Sequence, residues 1–339
     1  MSLLTTQFIQ ALGSIEPTED DKTNAPLAHD EVREILSADS VLSAWGLNPV
    51  LIGSYKRHVS IRRMKDVDLF GRVSELPDDV SPSDLLDEFD RVLTAGFGAD
   101  RVVRQTRSFQ IAFPEFDGLY VDAVPARPWT APSGQGVWQL PQRGTDAWQA
   151  TNPERLAELS SELNAAFGEK YVPVVKLLRQ TRRSLMGKRK PGGLTIEVAA
   201  VLAFQSGDVA GTTIGELYVS ALRKVGALLH EAFVLGSGLD DPTLDDEKLT
   251  IRGDDASKWA LAEAFVTAGE RAQNALDSND KCAAAKVFRE ILGKAVDDDG
   301  AQDFVFPMPD DCNLDGTAKD FARVRPGDPQ VAGGNRRFG

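Results

Sequence analysis

Pro49-Val50-Leu51-Ile52-Gly53-Ser54-Tyr55-Lys56-Arg57, followed after a basic linker by Lys65-Asp66-Val67-Asp68-Leu69-Phe70, is the stretch that decides the fold. The apolar run ending at Ile52 reads as a strand entering a Gly-Ser turn, and a second strand begins near Asp66. Alternate residues of a strand point the same way, so Asp66 and Asp68 share a face while Val67 and Leu69 turn to the core. Aspartate is depleted in strands, which argues against a merely solvated edge. Two carboxylates side by side repel, and a hard divalent cation with oxygen ligands relieves the repulsion. The Gly-Ser turn offers backbone N–H groups and a hydroxyl to an anion such as a triphosphate. Together these features point to nucleotidyl transfer.

Further along, Gly118-Leu119-Tyr120-Val121-Asp122-Ala123-Val124 reads as another strand, interrupted by a single carboxylate. A lone aspartate among apolar strand residues is costly without a partner. A metal shared with Asp66 and Asp68 supplies one. Ser108 to Phe113 is a neighbouring strand. Between the two strand regions, Ser81-Pro82-Ser83-Asp84 caps a helix that carries Leu85, Leu86, Phe89, Val92 and Leu93 at helical spacing.

Upstream, Leu3 to Leu12 reads as a short helix and the stretch to about Leu27 as polar and unpatterned. A helix then starts near His29 and runs to about Trp45, closed by Gly46. Pro125 to Asn152 reads as a loop crossing between lobes, with one short strand near Val137. From Asn152-Pro153-Glu154 the pattern is helical: a first helix with Leu156, Leu159, Leu163 and Phe167 inward, a second from Pro173, and others at 195–205, 214–234, 256–276 and 281–292. Lys176, Arg179 and Arg183 stand at helical intervals, a stripe that is a solvated face by default. Gly236-Ser237 before Asp240-Asp241 lacks flanking strands and reads as a loop.

The chain has 339 residues, 42% of them apolar, enough for two lobes and a sizeable core. A net charge of −13 argues against stable duplex nucleic-acid binding, which is driven by basic surface. No apolar run is long enough to span a bilayer, and the N-terminus lacks a signal-peptide layout, so no membrane association and a cytoplasmic location are expected. Cys282 and Cys312 lie far from metal-ligand spacing, and a reducing compartment without a disulfide scaffold is the default.

In order, Gly53-Ser54, Asp66-Val67-Asp68 and Val121-Asp122-Ala123-Val124-Pro125 resemble the signature of polymerase-β-like nucleotidyltransferases. With Arg104-Gln105-Thr106-Arg107-Ser108, Thr151-Asn152-Pro153, Val174-Val175-Lys176-Leu177-Leu178-Arg179, Thr195-Ile196-Glu197 and Asp241-Pro242, the chain from about residue 30 to residue 295 resembles the bacterial cGAS/DncV-like enzymes, the CD-NTases. The resemblance implies an α+β, bilobed protein with a central cleft. A mixed-sheet nucleotidyltransferase lobe spans residues 1–150, an OAS-like helical lobe 151–298 and a C-terminal tail 299–339. It also implies a synthase that joins nucleoside triphosphates into a cyclic di- or trinucleotide with release of pyrophosphate. In anti-phage (CBASS-type) operons such products activate an effector protein.

On this resemblance Asp66, Asp68 and Asp122 are catalytic and hold two Mg2+ ions, with Mn2+ as a substitute. Gly53 and Ser54 hold the triphosphate. Lys176 contacts the β/γ-phosphates, Lys56 and Arg57 serve the same role, and Thr195 and Glu197 lie near the nucleotide. Gly339 is compatible with a partner resembling ubiquitin-activating and ubiquitin-conjugating enzymes, although composition alone reads the tail as a flexible terminus. The rival readings are a linear product, nucleotide transfer to tRNA or a small molecule, and a catalytically silent nucleotide-binding module. The presence of all three carboxylates weighs against the last.

Overall fold

Helix α1 (Thr5–Ile15) buries Phe8, Ala11 and Ile15, and helix α2 (Glu19–Ser37) follows directly. Thr18 and Asp21 cap each other's backbone at the start of α2, and three acids occupy its first turn, where the helix dipole favours them. The polar stretch expected to be unpatterned is therefore helical. Its inward face is made of small residues, Ala25 and Ala28, which carry too little hydrophobicity to show as a stripe. The computed structural model describes residues 4–62, 65–296 and 302–319.

After α3 (Ser40–Ala44) come β1 (Leu47–Ile52), the four-residue helix α4 (Gly53–Lys56) and β2 (Asp66–Val73). Helix α5 (Pro82–Phe97), capped by Ser81 and Asp84, leads to β3 (Val102–Arg104), β4 (Phe109–Phe113) and β5 (Leu119–Thr130). Strands β6 (Gly136–Gln142) and β7 (Ala147–Thr151) complete a seven-stranded mixed sheet. Its order is β1-β2-β5-β4-β3, with β6 on β5 and β7 on β6. Only β2 and β5 run parallel among these pairs. α2 and α5 cover one face around Val67, Leu69, Phe89, Ile111 and Val121.

The crossing loop expected over 125–152 is corrected by β5, which continues to Thr130, and by the antiparallel ribbon β6–β7. Three prolines disguise it: Pro128 pairs with Trp138 and Pro141 with Trp148, while Pro125 pairs with Gly71 near the end of the β2–β5 ladder. Proline donates no ladder bond and is tolerated where the strand lies near an edge.

The second half is helical: α6 (Pro153–Ala166), α7 (Tyr171–Met186), α8 (Gly193–Gln205), α9 (Ile214–Phe233), α10 (Asp255–Asp277) and α11 (Lys281–Leu292). α8 is apolar almost all round, as expected of the helix buried at the centre of this half. The short ribbon β8 (Lys294–Val296) and β9 (Gln302–Phe304) follows α11. Phe306 beyond it packs edge-on against Phe8 at 5.0 Å, and Phe8 meets Phe288 at 4.9 Å. Helix α1 thus belongs to the helical core although it precedes the sheet. Val305, Phe306 and Met308 pack on the helical core, and Cys312 is bonded to Cys282. That corrects the expectation of two separate thiols: α11 and the returning chain bring their Cα atoms to 5.3 Å, a span a disulfide closes. Among the described residues, no helix is long and apolar enough to cross a membrane.

Candidate active site

The register of the sheet brings the aspartates together. β2 and β5 pair in parallel with Asp68 beside Asp122 and Asp66 beside Tyr120, and Ile52 of β1 lies on the other side of Asp68. Immediately after Ile52 the chain turns at Gly53 with a φ of +78°. A side chain there would overlap the Asp68 carboxylate, so glycine is required both by the conformation and by the close approach. The first turn of α4 then places Ser54 at the mouth of a cavity of about 350 Å³. The Ser54 hydroxyl lies 3.0 Å from that of Ser60, which fixes its orientation.

One wall of the cavity is Gly53, Ser54, Arg57, Asp66 and Asp68, and the opposite wall is Arg179, Leu194, Glu197 and Val198 from α7 and α8. Thr151, Asn152 and Pro153 form the rim where sheet passes into helices. Asp241, Thr243 and Leu249 close the far side. Asn152 is held in place by capping α6 through Arg155 N–H at 3.1 Å. Glu154 ties the halves together by accepting from Arg72 and Trp138, each at 2.9 Å.

The electrostatics follow from the register. Burial, then the Asp66 and Asp122 charges, push the Asp68 carboxyl up to about 7, with Arg57 opposing. Burial and Asp66 push Asp122 up to about 6, with Arg252 opposing. Tyr120 is raised to about 12 by burial and by the same carboxylates. Asp66 thus stands close enough to Asp68 and Asp122 to disfavour their charge. Among the described residues no three acidic, His or Cys side chains are already closed around a metal-sized point. A cluster of carboxylates that resists ionisation for want of positive charge nonetheless fits a hard divalent cation by its donor chemistry.

Behind this cluster lies a buried charge triad. Glu197 accepts from Arg57 Nε at 3.0 Å and Nη2 at 2.7 Å, and its other oxygen accepts from Arg179. Burial alone would raise the Glu197 carboxyl, but Arg57 and Arg179 outweigh it and hold it below the ordinary range. The triad locks α4 to α7 and α8.

Not every expected residue comes to the cavity. Lys176 turns away: its ammonium sits 2.6 Å from both carboxylate oxygens of Glu16, at the junction of α1 and α2. Lys56 and Lys176 instead line a second cavity of about 340 Å³. One helical turn separates Lys176 from Arg179, and the packing of α1 satisfies the former while the latter faces the nucleotide-sized space. Asp122 stands behind the lining and accepts from Gln105 Nε2 at 3.5 Å. Thr195 is buried beside Glu197 without forming the wall. Asp241 and Thr243, by contrast, were not expected on the wall. Asp241 Oδ1 accepts from the Thr243 N–H at 2.9 Å and hydroxyl at 2.6 Å, a tight turn whose signal in the sequence is Asp-Pro-Thr.

Residues 1–164 match the model of the Second Messenger Oligonucleotide or Dinucleotide Synthetase domain. Over 304 residues the chain is 25% identical to the cyclic AMP-AMP-AMP synthase of an Acinetobacter strain, covering 85% of this chain and 83% of that one. Residues 1–164 thus carry a domain of this synthetase family, and the whole chain is similar to the CD-NTases. The fold agrees. Vibrio cholerae DncV in its GTP-bound form superposes with a TM-score of 0.65 at 14% identity, over 86% of this chain and 95% of that one. CdnC of E. coli MS115-1 with ATP superposes with a TM-score of 0.61 at 18% identity, over 85% and 97% of the two chains. The protein is a nucleotidyltransferase of the kind that makes an oligonucleotide second messenger, and CD-NTases work with divalent metals.

Proposed function

We propose that this protein joins nucleoside triphosphates into a cyclic di- or trinucleotide, with release of pyrophosphate, in the cytoplasm and in anti-phage signalling. Its likeness to a cyclic AMP-AMP-AMP synthase favours ATP as a substrate and a three-membered ring. The product would act on an effector protein. A ubiquitin-activating and ubiquitin-conjugating-like partner would act at Gly339, which lies outside the described residues.

The observation that carries the reading is the parallel pairing of β2 with β5, which sets Asp122, behind the lining, beside Asp68 on the wall of the cavity that starts at Gly53. In this reading Asp66, Asp68 and Asp122 hold two Mg2+ ions, with Mn2+ as a substitute. When bound, those ions supply charge neutralisation at the reacting phosphate and leaving group. The Gly53 backbone and the Ser54 hydroxyl receive the triphosphate, with Arg179 across the cavity and Arg57 behind. Glu197 keeps both guanidinium groups in place. Leu194, half exposed on the wall, and Leu249 opposite it offer apolar surface to a base.

Metal binding is coupled to protons. Asp68 and Asp122, raised to about 7 and about 6, are protonated in the metal-free protein at lower pH, and repulsion grows as pH rises through those values. Mg2+ is therefore expected to raise the melting temperature more at pH 8 than at pH 6. An equal or smaller gain at pH 8 contradicts the assignment. For the reaction, incubation with labelled nucleoside triphosphates and Mg2+, then phosphatase, is expected to leave protected label. Label that phosphatase removes entirely means that no internucleotide bond formed, a product that loses a terminal phosphate but keeps a bridging one points to a linear oligonucleotide, and label that stays on an added acceptor points to acceptor modification.

A further inference from the structure

Helix α4 has a second side. Ser54 and Arg57 face the cavity of the carboxylates, whereas Tyr55, Lys56 and His58 face the second cavity, of about 340 Å³. Elements from both halves of the molecule wall this second space: the α1–α2 junction at Glu16, Lys22 of α2, Leu51 of β1 and Lys176 of α7. In a chain with a net charge of −13, its charges have the opposite balance: three lysines and one imidazole surround one carboxylate. Glu16 is already engaged, with both oxygens 2.6 Å from the Lys176 ammonium. Lys22 reaches Glu19 at 2.7 Å, but that side chain is 88% exposed, and an ion pair in water contributes little. Lys56 and His58 have no side-chain hydrogen bond or ion pair among the described residues. Surplus positive charge in a concavity, beside apolar surface from Pro17, Leu51 and the Tyr55 ring, suits an anion with a small organic body. Ser60, 4% exposed, connects the two cavities: it lines the second, and its hydroxyl is 3.0 Å from Ser54 Oγ on the wall of the first.

We propose that this second cavity is a regulatory site for the phosphate group of a small molecule, and that its occupancy weakens triphosphate binding at Ser54. The regulatory half rests on the reading of the first cavity as the place of nucleotidyl transfer; the binding half does not. The sign comes from the serine protons, of which each hydroxyl has one. With the second cavity free, Ser60 donates to Ser54, and the Ser54 proton is left for a triphosphate oxygen. A phosphate beside Ser60 takes the Ser60 proton, so the contact between the two serines survives only with Ser54 as donor. Ser54 then presents lone pairs, not a proton, to the triphosphate. Lys22 and Lys56 hold the ligand, and Ser60 passes its presence through α4 to the other side.

Binding is measured first, by calorimetric titration of the full chain with inorganic phosphate and with phenyl phosphate. Mg2+ is left out, so that the bare carboxylates repel anions from the first cavity. Lys22→Ala combined with Lys56→Ala is expected to weaken binding about tenfold or more, the loss of a charge-assisted contact. Lys188→Ala, exposed and outside the cavity, should leave it within about twofold. Tighter binding of phenyl phosphate assigns the site to an organic phosphate, and equal binding assigns it to free phosphate. In the second assay, saturating ligand should raise the KM for triphosphate at least about fivefold in the wild type. Ser60→Ala and the double lysine variant, each compared with itself without ligand, should lose that rise. By reciprocity, a non-hydrolysable triphosphate with Mg2+ should weaken phosphate binding to the wild type by the same factor. Phosphate binding that survives loss of both lysines overturns the site. A KM rise of equal size in Ser60→Ala overturns the link between the cavities. A wild type that makes no nucleotide product refutes the functional reading itself, while the titrations still decide whether the second cavity takes phosphate.

Discussion

Asp66→Ala combined with Asp68→Ala is expected to lower product formation by about a thousandfold or more, because each ~1.4 kcal/mol of lost transition-state stabilisation is a factor of ten and the metal ligands supply several. The same change is expected to leave the fold intact and, in the metal-free protein, to stabilise it. Asp68 is raised to about 7 from an ordinary value of 3.8 by burial and by its acidic neighbours. A carboxyl raised on folding favours the folded state below its unfolded value and costs more stability as pH climbs through the folded one. Above about pH 7 the double variant should therefore melt higher than the wild type without Mg2+, and it should gain less when Mg2+ is added. Activity assays beside thermal denaturation check both halves. A double variant that still forms product contradicts the site. One that loses product only because it melts early makes the aspartates structural.

The second large effect is on stability. Glu197 is 4% exposed and receives both Arg57 and Arg179, so Glu197→Ala leaves two largely buried guanidinium groups without their carboxylate. Breaking a buried pair by removing one partner costs about 3–5 kcal/mol, a large share of the 5–15 kcal/mol that holds a typical domain folded. Denaturant unfolding should show that loss, and nucleotide affinity should fall with it, because Arg57 and Arg179 lose their anchor at the cavity. The pH dependence has a definite sign. Glu197 is held below its ordinary 4.5, so its stabilisation is present above that value and disappears as pH falls through the lower folded one. Wild type and Glu197→Ala should therefore converge in stability in strong acid. A variant that stays as stable as the wild type at neutral pH contradicts the lock between α4 and α8.

The local part of this site was legible in the sequence. Alternation puts Asp66 and Asp68 on one face of β2, and the Gly53-Ser54 turn precedes them, because both depend on backbone geometry over a few residues. That Asp122 would lie beside Asp68 is a matter of register between β2 and β5, which α5 and two strands separate. Residue chemistry suggests that contact, but only the sheet provides it. The choice between Lys176 and Arg179 was not legible. Both stand on α7 one turn apart, and the partner that turns Lys176 away, Glu16, comes from the far end of the chain. Arg57, ranked with Lys56 as a phosphate contact, lines the cavity but is held there by Glu197, a pairing 140 positions long in sequence.

Elsewhere the misreadings have common causes. Prolines in β5 and β6 mimic a loop when the strand lies toward the sheet's edge, and small alanines in α2 hide its inward face. Cys282 and Cys312 look unrelated until β8 and β9 fold the chain back beside α11. Where the chain is strongly periodic, from α8 to α11, helix boundaries and sequence pattern agree within a few residues.

Mass spectrometry of the phosphatase-treated product of the wild-type protein, supplied with all four nucleoside triphosphates and Mg2+, tests the central claim most directly. A cyclic oligonucleotide predicts a protected species whose mass is the sum of its nucleoside monophosphates less one water for each. It should disappear in the Asp66→Ala, Asp68→Ala variant. A linear product, which phosphatase trims of its terminal phosphate and leaves lighter than the ring by HPO3 less one water, or no nucleotide product at all, would contradict it.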